Sequence, residues 1–168
     1  DGVTHCLFYR KDLLEENGIE VPTTMEELEA AAEALTMDTD NDGEIDIYGI
    51  GLRGAYMQIT LPSFIYTYGG GYVNNDFEPI INTESTKRGI EQYVSLLQNY
   101  GPPGSAAKNW TDVLEDFRQG NTAMIIDTDA WATQFEDEEK SNVVGKVGIA
   151  KIPGLKEGEY GEPGWWSW

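Results

Sequence analysis

Nine residues hold the densest chemistry in the chain: Asp38-Thr39-Asp40-Asn41-Asp42-Gly43-Glu44-Ile45-Asp46. Carboxylates at the first, third, fifth and ninth positions, glycine at the sixth and a backbone carbonyl from the seventh, Glu44, follow the loop pattern that gathers alternate residues around one hard cation. Carboxylates so close repel one another, and a cation among them removes that repulsion. Oxygen ligands with no His or Cys nearby select calcium over zinc. The twelfth position is Gly49, where the helix-loop-helix version of the pattern carries a bidentate Glu, so water or residues from elsewhere must complete the shell. Asp38, Asp40, Asp42, Glu44 and Asp46 are thus candidate ligands of a structural calcium ion. The alternative is an exposed Asx-turn loop between a helix and a strand, a common use of Asn/Asp-Gly clusters.

A second set pairs aromatic with polar side chains. A pyranose presents a flat apolar C–H face and a rim of hydroxyls, so its site needs a ring platform and hydrogen-bonding groups beside it. Tyr56, Trp131, Trp166 and Trp168 are candidate platforms, and Arg53, Asp127 and Asp129 are candidate partners for the rim. Trp131, four residues before Phe135, fits a core position equally well, and Tyr66 and Tyr68 read as packing. Acids and tryptophans together also describe a glycoside hydrolase cleft, where two carboxyls face each other roughly 5 to 9.5 Å apart. No such pair stands out. Asp112, Glu115 and Asp116 fall on one exposed helical turn, and Glu136 to Glu139 form a solvated run. His5, the one histidine, lies in an apolar strand where a packed residue is the ordinary reading, and no Ser/His/Asp or Cys/His arrangement accompanies it. These residues favour binding without catalysis. A glycoside hydrolase-like enzyme and a calcium-stabilised extracellular interaction module are the alternatives.

The stretch from Trp110 to Trp131 must position much of this set. Trp110, Val113, Leu114 and Phe117 recur at helical spacing and Gly120 stops the helix. Thr122 to Ile126 is too short and too continuously apolar for a helix and reads as a buried strand, with Asp127-Thr128-Asp129 as the turn where an α/β sheet meets its ligands. Elsewhere the pattern predicts a strand from Asp1 to Tyr9, a helix from Arg10 to Asn17 and a strand from Tyr48 to Leu52. An apolar helix or aromatic run spans Gln58 to Tyr68, and a last strand runs from Lys146 to Ile152. Thr24 with Glu27 forms a capping box for a helix whose stripe is Met25, Leu28, Ala31, Ala32 and Leu35. Ile90, Tyr93, Val94 and Leu97 define another helix, from Glu84 to Tyr100, before Pro102-Pro103-Gly104.

The 168 residues are one domain's worth of chain, and eleven basic against thirty acidic residues give a formal charge of −19. Nucleic acid and anionic membrane both need a basic face, so this balance argues against either as a partner. Cys6 is the only cysteine, which excludes an intrachain disulfide and leaves a small buried hydrophobe as its expected role. No stretch approaches the roughly 20 apolar residues of a membrane span.

Four segments in order carry a resemblance: Leu7-Phe8-Tyr9-Arg10-Lys11-Asp12-Leu13 with Gly18 and Pro22 to Leu28; Tyr68-Gly69-Gly70; Phe117 to Asp127 with a Trp shortly after; and Gly164-Trp165-Trp166-Ser167-Trp168. Together they resemble the extracellular solute-binding proteins of sugar ABC transporters, the maltose-binding-like group. The resemblance implies an α/β fold, one lobe of a type II periplasmic-binding-protein-like architecture with a small mixed sheet flanked by helices. Residues 1–168 would form a single second lobe, with the first lobe and final helices outside the chain. It further implies capture of a sugar or oligosaccharide for a membrane ABC permease, no catalysis, a monomer, and an extracytoplasmic location, periplasmic or as a cell-surface lipoprotein. In that family the residue near Trp131 and the turn resembling Gly164 to Trp168 line the cleft.

Overall fold

A computed structural model describes residues 2–163 and, as backbone alone, 165–167. Its centre is a mixed sheet of order β2-β3-β1-β4, built from β1 (Gly2–Arg10), β2 (Tyr48–Gly51), β3 (Thr122–Thr128) and β4 (Val147–Ala150). A short β5 (Trp165–Ser167) pairs antiparallel with the opening residues of β1. β2 and β3 run parallel, with Tyr48 opposite Thr122, while β1 is antiparallel to both β3 and β4. The α/β class and the small mixed sheet expected from the sequence are what the structure has.

Every residue of β3 is buried, because the sheet is covered on both faces. Successive side chains on a strand point to opposite faces. Leu7, Met124 and Ile126 therefore join the core under α2 (Met25–Ala34), α3 (Leu61–Thr67) and α4 (Glu84–Asn99), with Leu28, Ile50, Phe64 and Tyr93. Cys6, Phe8 and Ile125 join the opposite core, with Val113, Leu114 and Phe117 of α5 (Trp110–Gln119) and Phe135 of α6 (Ala132–Phe135). The remaining helix, α1 (Lys11–Glu16), follows β1 directly.

The local signals place most element ends. Thr24 caps α2 with its hydroxyl on the Glu27 amide, and the Glu27 carboxylate returns the bond to Thr24. Gly120 closes α5 at φ 87°. The structure corrects several boundaries and faces. β3 runs on through Asp127 to Thr128, so those two are strand residues and not a turn, standing opposite Cys6 and His5 of β1. The aromatic run from Gln58 becomes turns before α3 starts at Leu61, with Pro62 in its first turn, where a missing N–H costs nothing. The strand expected over Lys146 to Ile152 shortens to β4, and β5 follows it. Val94 lies at the surface and not in the α4 stripe, and Trp110 is 40% exposed.

Candidate functional site

The end of the sheet at the carboxyl terminus of β3 carries the chemistry, and one buried carboxylate organises it. Asp127, on β3, is 1% exposed. Its Oδ2 accepts from Arg53 Nε at 2.6 Å, and its Oδ1 accepts from Arg53 Nη2, from the Thr128 amide at 2.7 Å and from Trp131 Nε1 at 2.9 Å. Arg53 follows β2 by two residues, so the parallel pairing of β2 with β3 brings the two partners together across the chain. The Arg53 main chain is fixed as well, its carbonyl accepting from the Tyr93 hydroxyl at 2.7 Å, which in turn meets the Thr60 hydroxyl at 2.8 Å. A forked guanidinium–carboxylate pair of this kind sets direction as well as charge.

Trp131 is therefore a held ring. Its indole N–H is tied to Asp127, and its face stacks on Trp110, with centroids 5.0 Å apart and planes 5° from parallel. Trp110 is the first residue of α5, whose capping box at Asn109 sets where the helix begins. The two indoles, with Ile59, Val3, His5 and Arg53, wall a cavity of about 380 Å³. The chemistry on offer is flat apolar surface, a guanidinium that can only donate, and one imidazole.

His5 stands opposite Thr128 and is 4% exposed. Its Nδ1 lies 3.1 Å from the Ser63 hydroxyl, while Nε2 is buried with no hydrogen-bond partner among the described residues. Burial pushes its pKa below the usual 6.5, with Asp127 opposing that shift and Arg53 adding to it. Burial also pushes the neighbouring Cys6 thiol up to about 12, so it stays protonated and is no nucleophile.

The expected site residues separate into three groups. Arg53, Asp127 and Trp131 are brought together, but Asp127 lies beneath the cavity wall and holds the other two. Asp129 is exposed, accepts from the Thr4 amide at 3.2 Å, and borders a second hollow of about 600 Å³ with Lys151 and Tyr160. Tyr56 is 63% exposed and outside the cavity wall, held at φ 58°, a conformation in which a bulky side chain is strained. Trp166 is placed as strand backbone opposite Val3, and Trp168 lies outside the described residues, as does Gly164 of the same expected turn. Sequence reasoning passed over Trp110, Ile59 and His5 as site residues. A tryptophan at the very start of a helix, at the fraying end of its stripe, was the available signal for Trp110.

In the acidic loop, Asp38, Asp40 and Asp42 each bring a carboxylate oxygen within 4.8 Å of the others. Glu44 and Asp46 are not part of that cluster. Asp46 instead accepts from the Thr39 amide at 2.7 Å and hydroxyl at 2.5 Å, which hold its pKa below the usual range. Asp38 accepts from the amides of Asn41, Asp42 and Gly43, the geometry of an Asx-turn loop.

The family model for bacterial extracellular solute-binding proteins matches residues 1–168. A mannitol-binding protein of Pseudomonas aeruginosa is 25% identical over 150 residues, covering 87% of this chain and 34% of that protein. Among solved structures, an ABC transporter solute-binding protein of Agrobacterium vitis with bound D-mannitol superposes with a TM-score of 0.85 at 26% identity, over 98% of this chain and 40% of that one. One from Agrobacterium radiobacter in complex with ribitol gives 0.83 at 32% identity, over 98% and 42%. The chain thus spans well under half the length of these relatives.

Proposed function

Since this chain belongs to the bacterial extracellular solute-binding protein family, we propose that it forms one lobe of a receptor that captures a sugar or polyol outside the cytoplasm and passes it to a membrane ABC permease, without chemistry on the ligand. The observation that carries this is the Asp127 assembly: one buried carboxylate fixes a guanidinium and an indole platform on the wall of a cavity of sugar size. Relatives in complex with D-mannitol and ribitol support a small polyhydroxylated ligand. Arg53 and His5 supply hydrogen bonds to hydroxyls, and the Trp110–Trp131 stack covers the C–H surface.

Residues 1–168 make a single α/β lobe in this reading, and a further lobe would close over the cavity. β1 and β5 run side by side at the cavity end of the sheet, which is where a connection to such a lobe would bend. The enzyme alternative is disfavoured because Asp127, the carboxylate beneath the wall, is engaged on both oxygens. The acidic loop belongs to the same proposal as a structural calcium site on Asp38, Asp40 and Asp42, with the Asx-turn arrangement as its ion-free alternative.

Calorimetric titration of a longer protein carrying this lobe against mannitol, ribitol, glucose and maltose tests the reading. Saturable binding to at least one of them, lost in Trp131→Ala, is expected. No heat from any sugar or polyol, or turnover of a glycoside, would overturn it.

A further inference from the structure

The capture site contains a cost that the fold alone does not account for. His5 sits in the cavity wall with its ring nearly sealed from solvent, Nδ1 against Ser63, and Nε2 buried without a hydrogen-bond partner among the described residues. Buried polar atoms in native proteins are almost always paired, and one left unpaired beside a cavity is stabilised by whatever pairs it there. We propose that His5 is a ligand-contacting, specificity-determining residue, its Nε2 taking a hydroxyl of the bound polyol or sugar at the floor of the indole-lined cavity. This rests on the capture reading above.

The chemistry is suited to a hydroxyl. With Nδ1–H donating to the Ser63 oxygen, Nε2 accepts from the ligand; with the Ser63 hydroxyl donating to Nδ1, Nε2–H donates to the ligand. A hydroxyl can meet either tautomer, whereas a C–H at the same position meets neither. Because Nε2 is covered in the ligand-free geometry, this contact requires the ring to turn toward the cavity, exchanging an unmade bond for a made one. Arg53, a donor only, then offers its guanidinium edge from the same wall.

Protonation removes the acceptor tautomer. An imidazolium here would face the Arg53 guanidinium beyond β2. Among the described residues, Asp127 and Asp129 at the end of β3, and Cys6, Lys151 and Tyr160 around the second hollow that His5 also borders, are the other ionisable groups around it. Where Nε2 accepts from the ligand, binding therefore weakens as pH falls through the range below 6.5 in which this buried imidazole is forced to take up a proton, whereas a contact in which Nε2–H donates survives protonation.

The test is titration of the longer, ligand-binding protein with mannitol, ribitol and maltose, wild type beside His5→Leu and His5→Gln. Loss of about tenfold in affinity is expected for His5→Leu, with part of it recovered in His5→Gln. In a monodeoxy series of the best ligand, one position should weaken binding to wild type and have no effect in His5→Leu. Should the substitutions disturb folding, the ¹⁵N resonance of His5 Nε2 in the wild type reads the same contact by shifting on saturation. Affinity of His5→Leu within about twofold of wild type, or an unmoved resonance, overturns the assignment while the capture reading stands. A wild type that binds no sugar or polyol, glucose included, overturns the capture reading instead, and the assignment with it.

Discussion

At the scale of single residues, Asp127 holds more than any other side chain near the cavity. Replacing it with Asn keeps the shape but leaves the Arg53 cation buried without a counter-charge, so Asp127→Asn should cost about 3–5 kcal/mol in urea unfolding. Replacing Arg53 and Asp127 together with apolar residues of similar volume should restore most of that stability without restoring ligand binding. Both residues were legible in the sequence as polar candidates, but not as a pair, because their meeting depends on β2 lying parallel to β3. His5 contributes a second effect. Its folded pKa is depressed below 6.5, so its contribution is intact above that value; as pH falls through 6.5 the unfolded chain takes up a proton that the folded one refuses, and stability declines until the folded pKa is passed. Urea midpoints should fall between neutral pH and the upper edge of the carboxylate range, and His5→Phe should flatten that slope.

At the scale of elements, helix-to-strand distance decides what propensity cannot. A Cβ on Gly49 would lie 1.8 Å from the Ala32 carbonyl oxygen, so α2 rests directly on the β2 backbone. Gly49→Ala must lever that helix away and should cost at least about 1–3 kcal/mol, measured by denaturant unfolding. As sequence, Gly49 was legible only as the missing last ligand of a metal loop. The same blindness shifted the face of α4 only in part: Tyr93 and Leu97 are buried as expected, but Thr86, Gly89 and Leu96 join them while Val94 is exposed, with Gly89 pressed against the Ile65 backbone, and a count of apolar spacing has no weight to give a glycine. The Thr24 capping box was fully legible because its signal is local. The loop from Asp38 to Asp46 connects α2 to β2, so an ion there would act on this same joint. Calcium at about a hundredfold its dissociation constant would stabilise the fold by about 2.7 kcal/mol. Melting in calcium should then occur several degrees above melting in chelator. Coincident curves would leave the Asx turns as the whole account.

At the scale of the whole molecule, the fold class was readable because β-strand runs and helical stripes alternate in a fixed order, and four ordered segments carried the family. The site was half readable. Its tryptophan and arginine announce themselves by type, whereas Trp110 and His5 matter through neighbours 21 and 123 residues away, Trp131 and Thr128. The Trp110–Trp131 stack has one more consequence, optical in kind. Two parallel indoles 5.0 Å apart do not absorb and emit as independent chromophores; they share excitation, and their coupling depends steeply on separation and tilt. A solute pressed against one of them, or a second lobe folding over both, perturbs that coupling without any label being attached. Circular dichroism and tryptophan emission should therefore change on ligand addition to the longer protein, and Trp110→Phe should abolish the coupled part of the signal while sparing the rest. The receptor would carry its own built-in gauge of occupancy.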